Sequence, residues 1–260
     1  MEPLVKIKKH VPSGTIILNR PDKRNALTRQ LLEELQQAFE DLHQERRVRA
    51  VILTGAGTAF CAGMDLQEMK DTSEQPDAHE MWYRDSVQYK ELVETMLRFP
   101  KPIISAVNGP AVAGGAGLVL ASDIVLGTSE SKFGLPEPRR GIVAGLVSPL
   151  LTFRIGAGYA AKLLLTGELI SAQEALRVNL YHEIVGHDVV WARAHELASQ
   201  CAQNAPEAIQ LTKKMLNETI GDYLGVLLSA GAAASATART TESAAEGLKA
   251  FLEKREPKWS

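Results

Sequence analysis

The first half of the chain alternates short β-branched runs with amphipathic helical stretches. Hydrophobic runs predict strands at residues 15–18, 49–54, 103–107 and 124–126. Between the first two runs, residues 28–43 place leucines and a phenylalanine on one face and glutamates and glutamines on the other, which predicts a helix. This alternation is typical of an α/β fold whose strands are covered by helices.

The rest of the chain is predicted to be mainly helical. Residues 65–100 are polar and helix-prone, and their middle, residues 71–80, is predicted to be a mobile surface segment. After a glycine-rich helix at 113–122, the pattern from residue 157 onward favours helices almost alone; these are expected at 159–165, 172–178, 189–204, 206–220 and 241–254. The small residues of 229–238 allow close approach to another helix, either at a subunit interface or within the chain.

Composition and charge exclude several classes of protein. The 260 residues are 45% hydrophobic and 23% charged, with a net charge of -2, so no basic field would attract nucleic acid or an anionic membrane surface. The most apolar stretch, 105–122, is interrupted by an Asn-Gly-Pro sequence and predicts no membrane span. The polar start and two distant cysteines, Cys61 and Cys201, predict a cytoplasmic protein with free thiols.

Generic cofactor and metal motifs fail on single residues. Gly55 and Gly57 follow a strand, but Phe60 occupies the third glycine position of a dinucleotide-binding loop. His195 begins a sequence like that of a metalloprotease helix, but Ser199 stands where the second histidine is required. We therefore expect neither a nicotinamide cofactor nor a metal.

Three segments combine into a chemically specific pattern; they are residues 60–66, 107–115 and 132–137. Small residues before Met64 let the backbone turn its N–H outward, and glycines place the Gly114 N–H at the start of a helix. Two such N–H groups that converge on one oxygen form an oxyanion hole. Glu137 lies on a turn among apolar neighbours, where desolvation favours the protonated acid and prepares it for proton transfer.

At these residues the sequence resembles the crotonase superfamily, the enoyl-CoA hydratase/isomerase family. The resemblance spans residues 19–259 and is carried by NRPDKRNAL at 19–27, AGMDL at 62–66, VNGPAVAGG at 107–115, FGLPE at 133–137 and LTGE at 165–168. It implies a crotonase-like α/β fold, a spiral of ββα turns, with a helical C-terminal region used for trimerisation. The expected division of this single domain is a core of residues 1–200 and a helical region of residues 201–260.

The resemblance also implies an acyl-CoA thioester substrate whose enolate is held by the N–H groups of Met64 and Gly114. The positions that it matches to substrate and CoA binding are Lys23, Arg24, Ala26, Ala62, Asp65, Leu66, Gly115, Pro136, Phe251 and Lys254. Coenzyme A would enter only as part of the substrate, with no other cofactor. The expected assembly is a homotrimer or a dimer of trimers.

The chain departs from the family's hydratases at one catalytic position. Those enzymes use two glutamates; Glu137 matches the second, but Gly117 stands at the first. A single carboxylate is sufficient to move a proton between two carbons, so the leading interpretation is enoyl-CoA double-bond isomerisation with Glu137 as the sole acid and base. Hydration with one glutamate, thioester hydrolysis, decarboxylation and a non-catalytic acyl-CoA binding protein are alternatives.

Two further groups of residues bear on the substrate. Arg139 or Arg140, if turned into the pocket, would favour a substrate with a distal carboxylate, while solvated arginines are the alternative. Trp82, Tyr83 and Tyr89 lie where the family's acyl pocket is lined, although ordinary helix packing explains them equally well.

Overall fold

The computed structural model describes residues 2–259 as one alternating series of strands and helices. The strands are β1 (Val5–His10), β2 (Ser13–Leu18), β3 (Ala50–Gly55), β4 (Ile103–Val107), β5 (Ala111–Val112), β6 (Ile124–Thr128), β7 (Lys132–Gly134), β8 (Leu169–Ser171) and β9 (Glu183–Val185). The α-helices are α1 (Arg29–Gln44), α2 (Leu66–Ser73), α3 (Ala78–Arg98), α4 (Gly114–Leu120), α5 (Val147–Ile155), α6 (Ala157–Thr166), α7 (Ala172–Arg177), α8 (Val190–Ala202), α9 (Pro206–Lys214), α10 (Leu224–Ala238) and α11 (Glu242–Leu252).

Two sheets organise the core. The larger has the order β1-β2-β3-β4-β6-β9 and is parallel except for the antiparallel pair β1 and β2. The smaller has the order β5-β7-β8, with β5 parallel to β7 and β8 antiparallel to it. The α/β class and the four predicted strands are confirmed by β2, β3, β4 and β6. The edge strand β1 was not predicted, because its sequence VKIKKH is polar and only partly buried.

Helices cover both faces of the larger sheet, which explains its nearly continuous hydrophobic strands. Successive side chains of a strand point to opposite faces. Ala50 and Ile52 of β3 pack in a small cluster with α8, whereas Val51 and Leu53 belong to the main core with α1, α3, α4 and α5. The predicted amphipathic helix at 28–43 is confirmed by α1, whose Thr28 hydroxyl accepts the N–H of Leu31 and caps its first turn.

Small residues in α10 allow it to pack within the chain. A Cβ at Gly231 would lie 2.2 Å from the Gly145 carbonyl oxygen, and a Cβ at Gly145 would lie 2.4 Å from the Gly231 carbonyl oxygen. Such contacts exclude any side chain at either position, so the backbones touch directly. The alternative of close packing within the chain is thereby confirmed for this segment, which lies against α3 and α5.

One prediction about the helical regions needs correction. The region after residue 157 also contains β8 and β9, and β9 extends the larger sheet beside β6. These strands are three residues long, too short for a hydrophobic period to reveal. Residues 71–80, predicted to lie at the surface, are mostly exposed and comprise the end of α2, a turn and the start of α3; the mobility of this segment stays a prediction. None of the helices formed by residues 2–259 combines the length and apolar composition that crossing a bilayer requires.

Candidate active site

The loop after β3 holds Met64 so that its N–H faces a cavity. Leu27 donates its N–H to the Gly63 carbonyl at 2.8 Å, and Asp65 donates to the Leu27 carbonyl at 2.9 Å. These bonds flank Met64 in a parallel bridge, so its own N–H points to the opposite side. Gly63 has φ +87, and a Cβ there would lie 2.8 Å from the Ala113 Cβ. Only glycine therefore permits this turn.

The second N–H belongs to Gly114, the first residue of α4. Ala113, which precedes it, has φ 52 and ψ -123, a conformation that costs an L-residue about 1–3 kcal/mol. The neighbouring segments hold it there: Ala113 donates its N–H to the Gly134 carbonyl at 3.0 Å. This strained residue sets the direction of the peptide group that carries the Gly114 N–H.

These two N–H groups are close together and unoccupied. A Cβ built on Gly114 would lie 3.7 Å from the Met64 nitrogen. Within residues 2–259, neither N–H donates to a protein acceptor, and both residues line a cavity of about 850 Å³. Two neighbouring backbone N–H groups without a protein acceptor are what the predicted oxyanion hole requires.

Glu137 supplies a carboxyl group to the same cavity. It begins a 3-10 turn after Pro136, and only 7% of its surface is exposed. Its Oε2 is buried, with no hydrogen-bond partner in the part of the chain that the structure describes. Burial raises the pKa of Glu137 to about 7, because removing water disfavours the ionised form. At neutral pH the group can therefore both accept and return a proton.

Tyr89 occupies the space that a side chain at Gly117 would need. A Cβ at Gly117 would lie 2.1 Å from the Tyr89 hydroxyl oxygen. That hydroxyl donates to the Gly114 carbonyl at 2.5 Å, and burial raises the pKa of Tyr89 well above its usual value. Cys61 and Glu137 also raise this pKa, and Tyr89 and Glu137 line the same cavity. The Tyr89 hydroxyl therefore leaves no space for a glutamate side chain at position 117.

Of the three aromatic residues considered from the sequence, Tyr89 alone lines this cavity. Trp82 is buried away from it, and Tyr83 is exposed on the other side of α3. Asp85, Ser86 and Tyr89 share the cavity-facing side of α3 because residues three and four apart lie on one helix face. This helical phase separates Tyr89 from Tyr83 but not from Trp82, which lies seven residues earlier on the same buried face. The sequence also does not indicate the contact of Tyr89 with Gly114.

The residues matched to substrate and CoA binding fall into two groups. Six line the cavity: Arg24, Ala62, Leu66, Pro136, Phe251 and Lys254. Four do not: Lys23, Ala26, Asp65 and Gly115. Asp65 instead caps α2 and pairs with Arg20 at 2.5 Å, which holds the loop of Met64. A Cβ at Gly115 would lie 2.3 Å from the Cys61 carbonyl oxygen, so this glycine allows α4 to approach the loop.

The two arginines after Glu137 lie at the rim. Arg139 is exposed and approaches the Thr166 carbonyl, with its Nη2 at 3.3 Å. The Arg140 guanidinium lies 4.4 Å from the centre of the Phe251 ring, a cation–π contact. Both arginines line the cavity, where they have these protein partners.

A further arginine lines the cavity without having been predicted from the sequence. Arg239 follows α10 directly and lines the cavity beside Asp85. Its position could not be read from the sequence, because it depends on how α10 packs against α3.

Metal chemistry and a reactive thiol find no support in the described residues. No group of three or more histidine, cysteine or acidic side chains within residues 2–259 could hold a metal ion. Cys61 is fully buried and unpaired, and burial raises its pKa to about 12, which disfavours the thiolate. The free thiols predicted for Cys61 and Cys201 are confirmed.

The chain is similar to known proteins over nearly its whole length. The family model described as enoyl-CoA hydratase/isomerase matches residues 13–260. A Thermus thermophilus protein with the provisional name enoyl-CoA hydratase is 40% identical over 257 residues, which cover 98% of this chain and 100% of that protein. The short-chain-enoyl-CoA hydratase of Clostridium acetobutylicum is 31% identical over 251 residues, 96% of this chain and 94% of that protein.

Solved structures extend the likeness to the fold. The carnitinyl-CoA hydratase of Mycobacterium avium superposes with a TM-score of 0.85 at 31% identity and covers 100% of this chain and 99% of its own. The crotonase-like fold expected from the sequence is confirmed by this match.

Proposed function

The chain belongs to the enoyl-CoA hydratase/isomerase family, and from this premise we propose that it isomerises the double bond of an enoyl-CoA thioester with Glu137 as its acid and base. It is an enzyme of the hydratase/isomerase class that acts on acyl-CoA thioesters. The observation that carries the finer proposal is the single unpartnered carboxyl group beside two unused N–H donors, with Tyr89 filling the space at Gly117.

In the proposed reaction, the thioester oxygen of a 3-enoyl-CoA accepts hydrogen bonds from the N–H groups of Met64 and Gly114. The Glu137 carboxylate removes a proton from C2, and the electrons of that C–H bond form a C1–C2 double bond as negative charge develops on the thioester oxygen. Glu137 then returns the proton to C4, where the electrons of the C3–C4 double bond accept it; the double bond now lies between C2 and C3, the carbonyl is restored, and the product is a 2-enoyl-CoA. Each oxyanion hydrogen bond contributes about 3 kcal/mol to lowering the barrier.

The raised pKa of Glu137 suits both halves of this reaction. A carboxylate of ordinary pKa would be a poor base toward carbon, and its conjugate acid would exist only briefly at neutral pH. A value of about 7 brings the group closer to the operating pH, where proton transfer in both directions is efficient. The neighbouring apolar wall keeps water from competing for the enolate.

Hydration is the second candidate, and the names of the relatives favour it. The Clostridium acetobutylicum and Mycobacterium avium proteins are both named as hydratases. In this alternative, a water bound between Glu137 and the Tyr89 hydroxyl gives a proton to Glu137 as its oxygen adds at C3 of a 2-enoyl-CoA, and the oxyanion hole stabilises the resulting enolate. Glu137 then delivers that proton to C2. Tyr89 would then replace the missing glutamate as the second partner of the water.

The experiment that tests the proposal is mass spectrometry of 2-enoyl- and 3-enoyl-CoA thioesters after incubation with the enzyme in deuterated water. Isomerisation predicts double-bond migration without a gain of water, and loss of this activity in Glu137→Gln. Glu33→Gln, on the exposed face of α1, is the matched control and should behave as the wild type. A gain of one water on the 2-enoyl substrate, without migration, would contradict the isomerase proposal and establish hydration.

We also propose that CoA binds along the cavity rim formed by Arg24, Phe251 and Lys254. The arginine and the lysine supply positive charge for its phosphates, and Phe251 offers a ring for the adenine. The four matched residues that lie outside the cavity would act on CoA only through the loops that they hold.

The assembly proposed is a homotrimer or a dimer of trimers. Exposed large apolar side chains cluster along the C-terminal helices: Leu211, Met215, Leu216, Ile220, Tyr223, Val226 and Leu227. Exposed apolar side chains concentrated in one segment of the chain favour a protein interface there. Light scattering should give about 85 kDa, three times the 28.3 kDa chain, or twice that value. Val226→Asp should reduce this mass. Leu165 is exposed on a different helix, so Leu165→Asp is the control and should leave the mass unchanged. A mass of 28.3 kDa for the wild-type protein would contradict the proposal.

A further inference from the structure

Arg239 places a guanidinium group on the wall of the catalytic cavity without a protein partner. The residue follows α10 directly and is half-buried. It lines the cavity, yet among residues 2–259 its side chain makes no hydrogen bond and no ion pair within 4.0 Å. A partly desolvated cation without an acceptor is costly, and such groups in pockets are commonly reserved for a ligand.

The neighbouring charges do not neutralise Arg239. Asp85 is its acidic neighbour, but both oxygens of that carboxylate are taken by Arg29, with Nε to Oδ1 at 2.6 Å and Nη2 to Oδ2 at 2.8 Å. Glu68 accepts the backbone N–H of Arg29 at 3.2 Å and does not line the cavity. The charges of Arg29 and Asp85 balance each other in this bidentate pair, so the positive charge of Arg239 remains uncompensated.

The protonation state of Arg239 agrees with this description. Burial lowers its pKa to about 10, and the attraction of Asp85 does not offset the effect. The group nevertheless remains charged at neutral pH. An anion of the substrate would restore the interaction that the protein does not supply.

The position of Arg239 fits the end of an acyl chain. Tyr89 marks the thioester, because its hydroxyl bonds to the Gly114 carbonyl. Asp85 lies four residues earlier on the same face of α3, a separation of about 6 Å along the helix axis. The wall next to this face is mostly apolar and includes Met69, Leu146 and Val147. A chain of a few methylene groups from the carbonyl would therefore bring a terminal group to Arg239.

We infer that Arg239 binds a carboxylate at the far end of the acyl chain, so that the preferred substrate is the mono-CoA thioester of a dicarboxylic acid. The inference rests on the proposed function only in placing the thioester at Met64 and Gly114. Arg139 and Arg140, the arginines considered from the sequence, have protein partners at the rim. The phosphates of CoA are the other anions that Arg239 could meet, and the test separates the two sources.

Calorimetric binding of two saturated thioesters tests the inference without any turnover. Adipyl-CoA carries a terminal carboxylate, and hexanoyl-CoA has the same chain length and a terminal methyl group. We expect the wild-type enzyme to bind adipyl-CoA at least tenfold more tightly. Arg239→Met should weaken the binding of adipyl-CoA by about ten- to a hundredfold, which is the usual effect of losing a charged hydrogen-bond partner. The affinity for hexanoyl-CoA should stay within twofold of the wild-type value.

Two further variants serve as controls. Arg98→Met removes an exposed arginine at the end of α3 and should change neither affinity. Arg239→Lys keeps the charge and should recover part of the preference for adipyl-CoA. Equal affinities for the two thioesters in the wild type would overturn the inference even if Arg239→Met failed to fold. Equal weakening of both thioesters in Arg239→Met would assign the arginine to the CoA phosphates instead and would also overturn it.

The failure of this inference can be distinguished from the failure of the proposed reaction. Exchange of the C2 protons of hexanoyl-CoA for deuterium reports enolate formation and should require Glu137. Exchange without a preference for adipyl-CoA would overturn the role of Arg239 alone. A preference without exchange would sustain that role while contradicting the enolate chemistry.

Discussion

Glu137 is expected to reduce the stability of the folded protein at the pH at which it works. Its pKa in the folded state is about 7, compared with an ordinary value of 4.5, because 93% of its surface is removed from water without a compensating partner. A carboxyl group whose pKa is raised by folding contributes its full stability below pH 4.5. This contribution decreases as the pH rises and is lost above pH 7.

The magnitude follows from the size of the shift. About 2.5 pKa units correspond to about 3 kcal/mol at 1.36 kcal/mol per unit, of which about 2.5 kcal/mol should develop between pH 5 and pH 8. Glutamine has nearly the same shape and does not ionise. Glu137→Gln should therefore be more stable than the wild type at pH 8 by about 2 kcal/mol or more, and the difference should shrink toward zero at pH 5.

Urea unfolding at a fixed protein concentration, at pH 5, 6, 7 and 8, measures this difference directly. Glu33→Gln, on the exposed face of α1, is the control and should show no such pH-dependent gain. A stability difference between Glu137→Gln and the wild type that stayed constant from pH 5 to pH 8 would refute the reasoning, since it would mean that the carboxyl group is solvated or paired.

Three other predictions concern the same site. The kcat/KM for isomerisation should increase through a midpoint near pH 7 and level off above it, because the base form of Glu137 removes the proton; a profile flat from pH 5 to 9 would contradict that role. Gly117→Ala should destabilise the protein by about 1–3 kcal/mol, because the new Cβ would lie 2.1 Å from the Tyr89 hydroxyl oxygen. Adding Tyr89→Phe to this variant should recover part of the lost stability. If denaturant unfolding shows that the two substitutions have additive effects, the two positions do not interact. Ala113→Gly should raise the free energy of unfolding by about 1 kcal/mol by relieving its positive φ, and reduced stability would show that the Ala113 methyl group packs more favourably than the strain costs.

The sequence by itself determined the α/β class, the main strands and the turns that carry the N–H groups of Met64 and Gly114, the donors of the proposed oxyanion hole. These features depend on local patterns: period-two and helical hydrophobic spacing, and the glycines that Met64 and Gly114 require for their turns. The carboxyl group of Glu137 was also identifiable from a local feature, because the short segment FGLPE that contains it matches the family. The short strands β8 and β9 left no comparable pattern, and the polar edge strand β1 does not have a buried face to reveal it.

Only the tertiary structure decided what surrounds that carboxyl group. Tyr89 lies 28 positions from Gly117 in the sequence, and its place at the Gly117 backbone results from the packing of α3 on α4. Arg239 reaches the cavity because the small residues of α10 let the helix backbone at Gly231 touch Gly145. Whether a charged side chain has a partner depends on every segment packed around it, and local sequence does not contain that information. The residues proposed to form and hold the enolate could therefore be predicted from the sequence, whereas the residues proposed to select the substrate required the fold.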